Sequence, residues 1–207
     1  MKRSYDTIAL FYDRLAKLVC GRALVNARSY LLKTVPAGAS VLIAGGGAGW
    51  ELEELSKTYP SGLTIAYIDA SEKMTQLAAK RKIAGNQVTF ITSPVETAVI
   101  ARTFDIILTP FLLDNFSDES LQKIFPLLDR HLHAHGTWLY CDFVNTNVFW
   151  QKALLKSMYL FFRAFCGIEA TKLPDAEACF ARYHYKVIGQ KFFLHKFITA
   201  TVYKKAL

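Results

Sequence analysis

Residues 40–50 read Ser40-Val-Leu-Ile-Ala-Gly-Gly-Gly-Ala-Gly-Trp50, an apolar run that breaks into four glycines at positions 45, 46, 47 and 49. A continuous apolar run closed by glycine marks a strand buried on both faces. Glycine at its end lets backbone approach a ligand with no Cβ in the way. Trp50 to Tyr59 has the spacing of a helix, so the loop delivers the chain to a helix N-terminus, whose free amides favour an anionic group. A second apolar run, Leu63 to Asp69, ends on an acid 20 residues beyond Gly49. An acid there is placed to accept hydrogen bonds from ribose hydroxyls. Loop and acid together describe a site for an adenosine-type ligand; the bare alternative is a tight turn, with Asp69 capping the next helix.

Working outward, Ile8, Phe11, Leu15, Leu18, Val19, Leu24, Leu31 and Leu32 recur at helical spacing and end near Pro36 and Gly38, which predicts one or two N-terminal helices. Downstream, Ser71 to Ala84 reads as a helix with a serine cap and a basic last turn of Lys80, Arg81 and Lys82. Strands follow over Val88–Thr92 and Phe104–Leu108, then a helix over Asp118–Leu132 and a strand over Gly136–Phe143. After Phe143 the alternation stops: a long helical stretch from Val148 to Phe165 precedes two strands, Tyr185–Lys191 and Phe193–Tyr203, spaced to form a hairpin. The expected fold is α/β and Rossmann-like. It has a mostly parallel seven-stranded sheet with an antiparallel edge hairpin and helices on both faces. Residues 1–207 read as one domain: N-terminal helices (1–38), cofactor-binding core (39–143), helical cap insertion (144–183) and closing hairpin (184–207).

The 207 residues are 52% hydrophobic and 20% charged, which excludes disordered and fibrous classes. Cys20, Cys141, Cys166 and Cys179 are scattered without a C-x-x-C pair, the pattern of buried free thiols. The charged N-terminus has no signal-peptide apolar segment, so a reducing, cytoplasmic setting is expected. Residues 143–207 hold 10 Lys/Arg against 3 Asp/Glu together with 14 of the 28 aromatics, so almost all of the net charge of +8 lies in the final third. Within it, Lys152, Lys156 and Arg163 form one helical stripe on an otherwise apolar Val148–Cys166 segment and interrupt any membrane span. That helix reads as a core cap, a wall of an apolar substrate pocket, or a peripheral membrane contact. Lys172, Lys186, Lys191 and Lys196 add attraction for an anionic substrate or headgroup.

Glycine spacing separates the possible cofactors. A dinucleotide loop would carry a third glycine where this chain has Trp50, whereas the spacing here is G-x-G-x-G. With that spacing the chain resembles the class I S-adenosylmethionine-dependent methyltransferases. The family's motifs are approximated by Val41–Gly49, Ala66–Met74 and Phe104–Pro110, and more loosely by Leu132–Tyr140. The opening Tyr5-Asp-x-x-Ala-x-x-Tyr12-Asp13 looks most like the branch that methylates ubiquinone and menaquinone precursors. The resemblance implies S-adenosylmethionine as cofactor, with Gly45, Gly46, Gly47 and Gly49 along its methionine part, Asp69 on the ribose, and Ala70 and Met74 bordering the adenine. It further implies that Ala44, Pro94, Val95 and Thr109 line the cofactor. Two departures stand out: Ile43 where the family usually carries an acid, and Pro94 where an aspartate usually reaches the adenine. Glu96 is either a substitute for that aspartate or a surface residue.

Methyl transfer from a sulfonium needs alignment and a dry, shaped pocket more than a dedicated base. If the acceptor carries a proton, candidates to remove it are Asp114, Asp142, Tyr12 and His184. No metal is expected: the fifth strand ends in Asp142-Phe143 instead of an acid-amide pair, and His131, His133 and His135 read as a cationic cluster at a helix end. Cys141 reads as core. Thr109-Pro110-Phe111 lacks the polar head and second proline of nucleic-acid amino methyltransferases, which disfavours a nucleic-acid acceptor. The expected activity is methylation of a small, largely apolar acceptor; the alternatives are a non-catalytic fold relative that binds the cofactor or its demethylated product, and a nucleic-acid methyltransferase.

Overall fold

The structure, a computed structural model, describes residues 20–146, 148–166 and 170–206. Its elements in chain order are α1 (Ala23–Leu32), β1 (Ser40–Ala44), α2 (Trp50–Thr58), β2 (Ser61–Asp69), α3 (Glu72–Ala78), β3 (Gly85–Thr92), β4 (Phe104–Pro110), a 3-10 turn (Leu113–Asn115), α4 (Asp118–Asp129), β5 (Leu132–Phe143), α5 (Phe149–Cys166), α6 (Ala176–Arg182), β6 (Tyr185–Phe193) and β7 (Ile198–Lys205). The seven strands lie in the order β3-β2-β1-β4-β5-β7-β6. The first five are parallel, and β7 runs antiparallel to both β5 and β6. The predicted Rossmann-like α/β sheet with a closing antiparallel hairpin is the observed one.

β1 lies at the centre with all five residues buried, as a strand covered on both faces must be. Its side chains alternate between two cores. Val41 and Ile43 join Leu31, Leu52, Leu55, Tyr67, Cys141, Leu155 and Tyr159 on the face covered by α1, α2 and α5. Leu42 and Ala44 join Phe104, Leu121, Phe125, Trp138 and Phe180 on the face covered by α4 and α6. The second core is aromatic: Phe125 stacks on Trp138 with centroids 4.8 Å apart, and Phe180 stacks on Tyr203 at 3.8 Å. Among the described residues no helix is long and apolar enough to cross a membrane.

Three elements differ from the sequence expectation. The helix predicted over 71–84 is capped by Ser71 as expected, its hydroxyl accepting from the Met74 amide at 3.2 Å, but it ends at Ala78. Arg81 lies beyond that end and turns back, donating to the Ala48 carbonyl at 2.9 Å and to Glu53 at 3.1 Å, so it braces the glycine loop. β5 begins at Leu132, four residues before the predicted start, and the pairing with β4 slips between Phe104 and Ile106. His131, His133 and His135 therefore lie at a strand start, with His131 buried against the Arg102 carbonyl, and are no helix-end cluster. α6 was not predicted. Seven residues carry too little periodicity to register, yet Asp175 caps the helix and Cys179 and Phe180 fill the aromatic core.

Candidate functional site

The carboxyl ends of β1, β2, β4 and β5 bring two constellations together. The first is the loop between β1 and α2, where Gly45, Gly47 and Gly49 all have left-handed φ values, of 70°, 61° and 77°. The fourth glycine is required by packing: a Cβ on Gly46 would lie 2.3 Å from the ring of Tyr67, which is fully buried. Tyr67 donates its hydroxyl to the Gly47 carbonyl at 2.7 Å, and Asp69 accepts the Gly47 amide at 2.8 Å and the Ser71 amide at 2.9 Å. Burial, with the charges of Glu51 and Asp69 behind it, holds the Tyr67 hydroxyl well above its usual pKa, so it stays a donor. Nothing lies within 4 Å of the Cβ that Gly47 lacks, so the loop is open on that side.

These residues fit a nucleoside cofactor. A substituent at the open loop meets backbone alone, and the Asp69 carboxylate at the end of β2 is an acceptor of the kind to which ribose hydroxyls donate. Ala44 ends β1, Ala70 is exposed just past Asp69, and Met74 is half-buried in α3, while Pro94 is exposed and Val95 half-buried after β3. Thr109 does not present its hydroxyl here, because that group accepts the Trp138 indole N–H at 3.0 Å inside the aromatic core. Glu96 is exposed.

The second constellation follows β4. Phe111 takes a left-handed φ of 53° and places Leu112 against the glycine loop, where a Cβ on Gly45 would meet it at 2.8 Å. Three residues on, the Asp114 amide donates to Asp142 Oδ2 at 3.1 Å, and the Phe143 amide donates to Asp142 Oδ1 at 2.9 Å. Asn115 donates to Asp114 Oδ1 at 2.9 Å. Tyr159 of α5 reaches over and donates to the Asp114 carbonyl at 3.3 Å. Burial pushes the Asp114 carboxyl up to about 7. Burial and the neighbouring Asp114 charge push Asp142 up as well, so the pair holds a proton where isolated acids would not. Beside it stands an aromatic wall: Phe111 on Phe143 at 5.2 Å, Phe143 on Phe197 at 5.0 Å, and Trp150 on Phe197 at 5.8 Å.

The other two candidate bases fare differently. His184 is exposed in a left-handed turn that opens β6, whose first residue pairs with Lys205 at the end of β7. Because β5 pairs Phe143 with the start of β7, that turn lies at the opposite edge of the sheet, away from the loop and the acid pair. His184 is thereby removed as a base. Tyr12 lies outside the described residues. Cys141 is a fully buried core thiol, its pKa raised well above the ordinary value by burial. No group of His, Cys, Asp and Glu among the described residues is arranged to hold a metal.

Sequence reading missed four residues that build this edge. Glu51, Tyr67 and Tyr159 look like ordinary helix and strand residues, and nothing local distinguishes them. Gln151 is fully buried on α5, accepts from the Thr146 hydroxyl and donates to the His195 carbonyl at 3.2 Å, fastening the helix to the β6–β7 turn. The one available signal was a polar residue inside an apolar stretch.

Comparison with known proteins follows the same outline. Residues 41–136 match the profile of the methyltransferase-domain family. The N-methyltransferase NodS from Bradyrhizobium japonicum, solved with S-adenosylhomocysteine, is similar with a TM-score of 0.70 at 12% identity, over 94% of this chain and 91% of that one. Magnesium protoporphyrin IX methyltransferase from Synechocystis, also with S-adenosylhomocysteine, gives 0.66 at 17% identity, over 89% and 83% of the two chains. The 1,6-didemethyltoxoflavin-N1-methyltransferase of Burkholderia thailandensis gives 0.65 at 16% identity, over 96% and 88%. No curated protein matches the sequence significantly. Residues 41–136 thus match a methyltransferase domain, and the seven-stranded sheet that contains them has the fold of these methyltransferases.

Proposed function

We propose that the chain transfers the methyl group of S-adenosylmethionine to a small, largely apolar acceptor by direct in-line displacement. The observation that carries this reading is the Phe111–Asn115 segment. It rests Leu112 on the glycine loop and, two residues on, joins Asp114 to Asp142, so a cofactor site and a proton-holding acid pair share one sheet edge. When bound, the cofactor supplies a methyl group activated by its sulfonium. The chain's part is to bind, orient and exclude water, which for such displacements is worth about 7–11 kcal/mol of barrier.

In this reading the methionyl end runs along Gly45 to Gly49, Asp69 takes the ribose hydroxyls, and Ala44, Ala70, Met74, Pro94 and Val95 line the nucleoside. α5 walls the acceptor site, with Phe111, Phe143, Trp150 and Phe197 offering it an apolar face. The Asp114–Asp142 pair accepts the acceptor's proton as the new bond forms, a contribution of about a hundredfold or more. The buried thiols Cys20, Cys141 and Cys179 suit a reducing compartment.

The test is incubation with methyl-labelled S-adenosylmethionine and a panel of phenolic, enolic and amine acceptors, with duplex DNA and RNA alongside. Labelled small-molecule product that falls in Asp142→Asn supports the proposal. Transfer to nucleic acid alone, or none with cofactor binding intact, overturns it.

A further inference from the structure

Glu51 is a buried carboxylate to which the proposed reaction gives no work. It is 1% exposed, and Oε1 accepts from Arg28 Nη1 at 3.0 Å. Oε2 is buried with no hydrogen-bond partner, the one such side-chain atom among the described residues. An acceptor stranded in this way carries the full cost of its lost hydration, and a single-point ion pair compensates only part of it. Arg28 has no freedom to do more, since its Nε is given to the Leu24 carbonyl at 3.3 Å and its guanidinium lies over the Trp50 ring at 4.4 Å.

The position of the open oxygen points to what would fill it. Glu51 is the second residue of α2, two residues past Gly49, and Gly49 supplies that helix with no side-chain cap. Its charge is felt at Tyr67, whose hydroxyl holds the Gly47 carbonyl, and at Cys141 of β5. Glu51 thus lies in the first turn of the helix that the glycine loop opens, held from α1 by Arg28. Ile43 of β1, in the core on the face that α1 and α2 cover, is fully buried and unable to accept a hydrogen bond. A group that satisfies a lone carboxylate oxygen in such a place is a compact cation with several donors, the description of a primary ammonium. S-Adenosylmethionine carries one, on its α-carbon.

We propose that Glu51 Oε2 accepts the α-ammonium group of the cofactor's methionyl end, so that this end is read by a carboxylate on α2. Arg28 acts as the positioning residue that holds Glu51 in place. The inference rests on the cofactor orientation given above and adds to it the residue that distinguishes an amino-acid tail from a bare nucleoside.

The experiment is calorimetric titration of wild type and Glu51→Gln at neutral pH with three probes. These are S-adenosylhomocysteine, 5′-methylthioadenosine, which lacks the amino-acid end, and the S-adenosylhomocysteine analogue without its α-amino group. Glu51→Gln should weaken S-adenosylhomocysteine by about tenfold or more while leaving methylthioadenosine within about twofold. Wild type should bind the deaminated analogue about tenfold more weakly than S-adenosylhomocysteine, an arm that needs no variant to fold. Equal weakening of both natural compounds in Glu51→Gln, or wild-type indifference to the missing amino group, overturns the proposal with the cofactor reading intact. Failure of wild type to bind either S-adenosylhomocysteine or methylthioadenosine overturns the cofactor reading itself.

Discussion

The two halves of the carboxyl edge are built by different means. The β1–β2 half is made of backbone: three left-handed glycines, a fourth excluded from bearing a side chain by Tyr67, and an acid that ties the loop through its amides. The β4–β5 half is made of side chains drawn from distant parts of the chain, with Asp114, Asp142 and Tyr159 converging from a turn, a strand and a helix. The first half specifies a shape that the glycines permit and a few nearby side chains hold. The second specifies a chemistry that depends on the whole fold being in place.

Breaking the backbone half should have the largest effect. Gly46→Val drives a branched side chain into a fully buried tyrosine ring, so loss of cofactor binding and destabilisation by about 3 kcal/mol are expected. Calorimetric titration and thermal melts would measure both. Breaking the chemical half should spare binding and strike turnover: Asp114→Asn should lower kcat by about a hundredfold with cofactor affinity nearly unchanged.

The same substitution has a signature in pH. The Asp114 carboxyl is raised to about 7 in the folded state from its ordinary 3.8, so the folded protein binds more protons than the unfolded chain between those values. Its contribution to stability therefore falls as pH rises through that window. Asp114→Asn should flatten this slope in melts from pH 4 to pH 8, and should remove the rise in kcat/KM through about pH 7 expected of an ionising base.

Legibility divided along the same line. The glycine loop, Asp69 and the strands themselves were readable because each is encoded within a few neighbouring residues, where spacing and apolar runs map directly onto turns and strands. Asp114 and Asp142 were nameable as strand-end acids, but their pairing was not, since 28 residues and a whole helix separate them. Glu51 and Tyr67 were invisible for a related reason: their importance lies in what surrounds them, which the sequence does not order locally. His184 shows the converse error, a chemically able residue that the antiparallel turn of the hairpin carries to the wrong end of the sheet.

Smaller effects sharpen the contrast. Asp69→Ala removes the carboxylate that holds the Gly47 amide and, in the proposed reading, the ribose, so cofactor affinity should fall about ten- to a hundredfold in titration. His184→Gly, at the far edge, should leave kcat/KM unchanged. It should alter stability by no more than about 1 kcal/mol, toward stabilisation, because glycine accepts the left-handed φ of 60° without strain.

The bracing of the glycine loop bears finally on time. Tyr67, Asp69 and Arg81 clasp it from three directions before any nucleotide arrives. A ligand thus meets walls already standing, and encounter should proceed at the rate set by diffusion and orientation, with no wait for a segment to fold around it. Analogues of the cofactor would then enter at similar speeds and differ in their residence times.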